Sequence, residues 1–269
     1  MQPILLIRGG GDLASGVALR LHRAGIKVVV LEIARPLAVR RLVSFAEAVY
    51  ASTIQIEEVV GKLVANLDST FECLENGILP VLVDPGAEIR LQIPTMAVVD
   101  GRMTKKTPEY KMDFARLIIG LGPGFVVGEN CHAIVETKRG PFLGRVYWKG
   151  SAEADTGLPE IVGAYQMERV LRAPSDGIFI GRKKIGDSAR QGEVLAEVAG
   201  QPVIAQFNGT LRGLLHDGLP VKKDVKVGDL DPRNDSRLVS MVSDKALAVG
   251  GGVLEALLSQ PEVRSALWR

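Results

Sequence analysis

The sequence predicts an α/β domain built on a mostly parallel sheet, then a β-rich domain and a closing helix. Three observations predict it. Near the start, strand, glycine turn, helix and strand follow one another within about thirty residues, the grammar of a βαβ unit with parallel strands. Short apolar runs then alternate with helical patterns as far as residue 127. From Arg172 onward the pattern changes to short strands punctuated by Gly and Asp turns, spaced so that one half repeats the other.

The first unit opens with Ile4-Leu5-Leu6-Ile7, a buried strand, and Gly9-Gly10-Gly11, its turn. Leu13, Ala14, Val17, Ala18 and Leu21 recur at helical spacing, with Arg20, His22 and Arg23 on the other face. Asp12 is a good N-cap and Gly25 a good residue just past the helix end. Lys27–Glu32 is the second strand. The turn matches G-x-G-x-x-A through Gly9, Gly11 and Ala14. Gly9 permits a tight turn, Gly11 lets backbone approach a bound group, and Ala14 lets the helix lie on the strand. The amides of Gly9–Ser15, including Gly10, Asp12, Leu13 and Ser15, then favour an anion. Glu32 stands where a carboxylate accepts from a ribose hydroxyl, which favours NAD over NADP. Against a phosphate stands the Asp12 carboxylate at the same helix start. The alternative is that the glycines only turn the chain and Asp12 caps the helix.

Ile33–Pro36 reads as a loop and Leu37–Ala48 as a helix carrying Arg40 and Arg41. Arg35 or Arg40 could face a phosphate placed by the first turn. Thr53–Val64 is ambiguous between helix and strand. Asp68–Glu75 reads as a capped helix stopped by Gly77, and Ile78–Val83, Ala97–Asp100 and Ala115–Gly120 as strands. A second glycine turn, Gly120-Leu121-Gly122-Pro123-Gly124, ends this region. Loops at the carboxyl ends of parallel strands share one crevice, so both turns, with Asp84 and Asp100, are candidates for one site. These features define a Rossmann-like domain over 1–127.

Residues 128–171 form a connecting β segment in which Cys131 precedes His132 and the strand Ala133–Glu136. A cysteine near exposed backbone amides can hold a lowered pKa and act as a thiolate, so Cys131 is the candidate catalytic residue. The alternative is a small buried hydrophobe. His22, His132 and His216 have no partners at ligand intervals, so no metal site is expected.

Residues 172–232 repeat at an offset of 32: Gly177 and Gly209, Gly181 and Gly213, Gly186 and Gly218. With Gly186-Asp187 and Gly192-Glu193-Val194-Leu195, this resembles the barrel-sandwich fold of biotinyl and lipoyl carrier domains. The hairpin Val198–Val203 lacks the carriers' acceptor lysine, which points to a binding or packing module. In the closing segment, 233–269, Leu238–Leu258 reads as a helix that contains Gly250-Gly251-Gly252. Those glycines mean either close backbone packing or a break.

The chain has 269 residues, 46% hydrophobic and 24% charged, with a net charge of +2 and two cysteines. That balance argues against nucleic acid or an anionic membrane as a general partner. No apolar run reaches the ~18–20 residues that span a bilayer, and the N-terminus carries no cleavable apolar segment, so a cytoplasmic protein is expected. A homo-oligomer is left open.

The strings I-R-G-G-G-D-L-A-S-G, I-G-L-G-P-G-F-x-x-G-x-x-C-H-A-x-x-E-T-x-R-G-x-x-L-G-R-V and S-D-K-A-x-A-x-x-G-G-V-L-E-A together resemble the YqeB-type accessory proteins of selenium-dependent molybdenum hydroxylase systems. In outline the chain is also similar to xanthine dehydrogenase accessory proteins. The resemblance implies a maturation factor that serves a molybdenum hydroxylase or its other maturation factors. On the reading of the residues taken with it, a phosphate-bearing cofactor, NAD, NADP or molybdopterin (molybdenum cofactor), is bound at Gly9–Ser15 and Gly120–Gly124, and Cys131 carries sulfur or selenium or acts in redox. An NAD-dependent oxidoreductase and a scaffold with a vestigial nucleotide site are the alternatives.

Overall fold

The computed structural model describes residues 3–158 and 161–267. The chain divides into two compact units, each discontinuous in sequence: 1–36, 44–155 and 242–269 form the first, 37–43 and 156–241 the second.

The first unit holds a nine-stranded sheet of β1 (Ile4–Arg8), β2 (Lys27–Glu32), β3 (Thr53–Ile56), β4 (Val59–Leu63), β5 (Leu79–Val83), β6 (Thr95–Asp100), β7 (Ile118–Leu121), β8 (Ala133–Val135) and β9 (Val146–Tyr147), in the order β3-β4-β5-β2-β1-β6-β7-β8-β9. The pairs from β4 to β8 are parallel, whereas β3 on β4 and β9 on β8 are antiparallel. Strands β1 and β2 are buried along almost their whole length, as continuous apolar runs in a parallel sheet should be.

The Rossmann-like expectation is therefore corrected. The sheet is mixed, and between β6 and β7 the chain makes a single 3-10 turn, Met112–Phe114, with no crossover helix. The ambiguous stretch Thr53–Val64 is the β3–β4 hairpin. The helix expected over Leu37–Ala48 is two 3-10 turns, Arg41–Val43 and Phe45–Glu47, then the short α2 (Ala48–Ala51). The reason is local. The Phe45 amide donates to the Ser15 hydroxyl (2.7 Å) and the Ala46 amide to the Gly10 carbonyl (2.9 Å), so neither can close a helical turn.

Of the helices, α1 (Asp12–Arg23) joins β1 to β2 and α3 (Leu67–Glu75) joins β4 to β5. The latter starts at Asn66, whose side chain accepts from the Ser69 amide in a capping box. The closing segment is α4 (Asp244–Leu258), capped by the Ser243 hydroxyl, then α5 (Pro261–Leu267). The glycine triplet does not break α4; it lets the helix approach its neighbours. A Cβ on Gly250 would meet Arg20 Cβ at 2.9 Å and the Gly16 carbonyl oxygen at 3.0 Å, and one on Gly16 would meet Ala246 Cβ at 2.5 Å. Among the described residues, no helix is long and apolar enough to cross a membrane.

The second unit contains β10 (Val170–Arg172), β11 (Gly177–Gly181), β12 (Ser188–Ala189), β13 (Val194–Val198), β14 (Gln201–Ile204), β15 (Gly209–Leu214), β16 (Pro220–Val221) and β17 (Lys226–Asp231). They pair as two separate four-stranded antiparallel sheets, β10-β17-β15-β12 and β14-β13-β11-β16. This replaces the biotinyl/lipoyl-like barrel-sandwich expectation. Alternation and glycine spacing mark where strands lie, but not which strand each one pairs with. The repeat itself is one of strands: β11, β12 and β13 begin at residues 177, 188 and 194, and β15, β16 and β17 at 209, 220 and 226.

Candidate functional site

The turn after β1 lies at the carboxyl edge of the parallel strands, where β1 has β2 on one side and β6 on the other. In open sheets this edge is where ligands bind. Gly9 adopts a left-handed φ of +92°, and its amide donates to the Leu31 carbonyl (2.7 Å). Arg102 backbone covers it, at 3.2 Å from where a Cβ would stand. Gly10 is fully engaged: its amide donates to Glu32 Oε1 (2.6 Å), and its carbonyl accepts from the Ser15 hydroxyl (2.8 Å) and the Ala46 amide. A Cβ there would meet the Ala46 amide nitrogen at 2.8 Å.

Gly11 differs from both, because the space beside it is open. It is the N-cap of α1, and no side chain caps the helix there. The expected cap, Asp12, lies one residue inside, as the first residue of the helix. The first-turn amides of Asp12, Leu13 and Ala14 therefore point out of the helix start, as the geometry of helix ends requires, and Gly11 has no side chain to accept from them. Ala14 is buried and lies against Gly101, where a Cβ would come within 2.8 Å of its own. Ser15 is fully buried, and its hydroxyl both donates to Gly10 and accepts from Phe45. It clips the turn rather than facing a ligand.

Glu32 turns back onto the chain: beside the Gly10 contact, its Oε2 accepts from the Ile33 amide (2.8 Å). Burial pushes its pKa up, opposed by those two backbone hydrogen bonds. The carboxylate thus holds one amide that a bound group would otherwise use. Its negative charge also stands beside the helix start.

The second glycine turn is not a cradle. Positions where side chains would grow from Gly120, Gly122 and Gly124 are filled by the Phe125 ring, the Thr137 side chain and the Lys106 backbone. It follows β7, two strands from β1 and so about 10 Å away at the usual strand spacing. Asp84 accepts from the Glu88 and Ile89 amides (3.0 and 2.9 Å) and caps a 3-10 turn. Arg40 donates to the carbonyls of Leu238 and Met241 inside the second unit, and Arg35 is exposed.

Cys131 is fully buried in an apolar cluster with Tyr110, Ile118, Phe125 and Ile134. Burial alone pushes its thiol up to about 12, the reverse of what an activated thiolate needs. Alkylating reagents are accordingly expected to leave Cys131 unmodified in the native protein at pH 8. Cys131→Ser should cost about 1–3 kcal/mol, from a hydroxyl buried without assured partners, as read by urea denaturation.

Sequence reasoning marked Asp100 but not its surroundings. Asp100, at the end of β6, is buried and accepts from Arg102 Nη2 (2.6 Å) and the Tyr110 hydroxyl (2.9 Å). Arg8, the last residue of β1, donates to the Pro85 carbonyl and to Glu109 Oε1, both at 2.6 Å. These partners lie 77 and 101 residues away in sequence, beyond the reach of any local spacing.

No family model matches the chain. Among solved structures, it is similar to an aspartoacylase family protein from Mesorhizobium loti, with 13% identity, a TM-score of 0.28, and 86% of this chain and 85% of that one covered. It is also similar to a succinylglutamate desuccinylase/aspartoacylase from Rhodobacter sphaeroides, with 13% identity, a TM-score of 0.27 and 87% of each chain covered. A curated relative, the uncharacterized protein YqeB of Escherichia coli (strain K12), is 42% identical over 255 residues, which is 95% of this chain and 47% of the relative. The chain thus spans about half the length of the curated relative it matches, and this likeness fits a YqeB-type protein.

Proposed function

We propose that the first unit binds a phosphate-bearing cofactor, a dinucleotide or molybdopterin, at the start of α1, and that the protein serves as an accessory factor in the maturation of molybdenum hydroxylases. One observation carries the binding: Gly11, the N-cap of α1, brings no side chain of its own to the helix start and has open space beside it. A helix start in that state offers oriented amides and the positive end of the helix dipole to an anion. The residues fit a single phosphoryl group at Gly11–Ala14. They fit a ribose at Glu32 only if its carboxylate trades the Gly10 amide for a hydroxyl. Gly120, Gly122 and Gly124 take no part. The maturation role rests on the sequence resemblance to YqeB-type accessory proteins.

The binding reading is tested by thermal melts of the purified chain with NAD, NADP and molybdopterin. A rise in Tm with at least one of them is expected, and no rise with any would remove the cofactor from the account. The maturation reading is tested separately, by deleting the gene in its host. Loss of molybdenum hydroxylase activity is expected, and unchanged activity would contradict it.

A further inference from the structure

Glu109 is the exposed member of a cluster that is otherwise mostly buried. Its side chain is 61% exposed, whereas those of Arg8, Asp100 and Arg102 are 3%, 2% and 25% exposed. Its two oxygens accept from both arginines: Oε1 from Arg8 Nη2 (2.6 Å) and Arg102 Nη1 (2.9 Å), Oε2 from Arg102 Nη2 (3.1 Å). Partial burial works against its charge, yet hydrogen bonds from Arg102 and Arg8 hold it at about 2. It is a carboxylate in the grip of two guanidinium groups.

Arg8 is poorly served by that grip. Of its donors, Nη2 has the Pro85 carbonyl and Glu109, but Nε and Nη1 are buried with no hydrogen-bond partner. Asp100 stands 3.8 Å from Nη1, within ion-pair reach but too far for a hydrogen bond. The rings of Tyr110 and Phe114 lie against the guanidinium, with centroids at 5.2 and 5.3 Å. Rings engage a guanidinium through its face, so its edge donors still lack acceptors. A guanidinium carries five N–H donors in one plane, and one backbone carbonyl with one shared carboxylate oxygen is a weak match for them. A phosphoryl group brings three acceptor oxygens and suits the fork better.

The segment that carries Glu109 has no regular structure from Gly101 to Lys111. It includes Met103 and Lys105 at φ +54° and +59°, left-handed conformations that favour glycine. Such strain persists only where contacts over-determine it, and the Glu109–arginine contacts are among those that fix this loop.

We propose that Arg8 and Arg102 form an oxyanion site for a phosphoryl group, in which Glu109 stands as a built-in ligand that the incoming group displaces. Asp100 holds Arg102 in place when Glu109 leaves. The site uses different donors from the start of α1, although Arg8 precedes Gly9 and Arg102 lies against it.

Inorganic phosphate is the probe, and Gly11→Glu is the background, so that the helix start is blocked and only the arginine pair is read. By calorimetry, Glu109→Gln in that background is expected to bind phosphate at least tenfold tighter than the parent. Adding Arg102→Gln should return it to the parent value. Glu109→Asp keeps the charge but is one methylene too short for both arginines, and should tighten binding severalfold. Equal phosphate affinity in the parent and in whichever Glu109 variants fold would overturn the proposal. So would failure of both variants to fold even in phosphate, since the carboxylate would then be a structural prop.

Discussion

Gly252→Ala is expected to cost the protein about 1–3 kcal/mol, the usual penalty of overpacking, even though alanine is the better helix former. A methyl group at Gly252 would run into the backbone carbonyl of Gly144 and come within 2.7 Å of Val135 Cγ1. Backbone cannot swing aside as a flexible side chain can. Gly251, one residue earlier on the same helix, has nothing within 4 Å. Gly251→Ala should therefore stabilise the protein by about 1 kcal/mol, the helix propensity difference alone. Opposite signs at adjacent positions, measured by denaturant melts, would establish that the triplet is there for packing. A loss at both positions would mean that α4 needs flexible backbone instead.

Asp100→Ala should cost about 3–5 kcal/mol, the range for removing one partner of a buried ionic cluster. Its carboxylate is the common acceptor for Arg102 and the Tyr110 hydroxyl, and the ion-pair partner of Arg8. Burial and the neighbouring Asp100 charge keep the Tyr110 hydroxyl protonated well beyond its ordinary range, so Tyr110 cannot take over the negative charge. Tyr110→Phe removes only one hydrogen bond to a charged acceptor and should cost less, about 1.5–3 kcal/mol. Equal losses for the two variants would mean that the hydroxyl, and not the charge, holds the cluster together.

The centre of the first unit is legible because burial on both faces of a parallel sheet leaves uninterrupted apolar runs, such as Ile4–Ile7 and Val28–Leu31. Its edges are not. The β3–β4 hairpin turns at Glu57-Glu58, with Glu57 at φ +53°. Two glutamates carry none of the Asn-Gly or Asp-Gly signal that announces such a turn. The repeat of 32 residues shows in the glycines of the second unit, whereas its strand pairing depends on which edges meet in space.

The site divides in the same way. The turn Gly9–Gly11 is visible in the sequence, because backbone conformation is what glycine spacing reports. That Glu32 folds back onto the Gly10 amide is not, since a strand-end carboxylate has the same spacing whether it faces a ribose or its own turn. Cys131 read as a reactive thiol from its loop and its glycines, but its chemistry is set by the rings and aliphatic groups packed round it, which the local sequence does not show. Arg8, Arg102 and Glu109 meet only because β1 and β6 are neighbours.

Binding at the open helix start is tested most directly by comparing the wild-type chain with Gly11→Glu. Gly11 has an ordinary φ of −68° and open space beside it, so the variant should fold with an unchanged melting temperature. Calorimetric titration with NAD, NADP and molybdopterin should show the binding of whichever of them raises the wild-type Tm abolished, because a carboxylate then occupies the helix start. Binding retained at full strength in the Gly11→Glu variant would contradict the account.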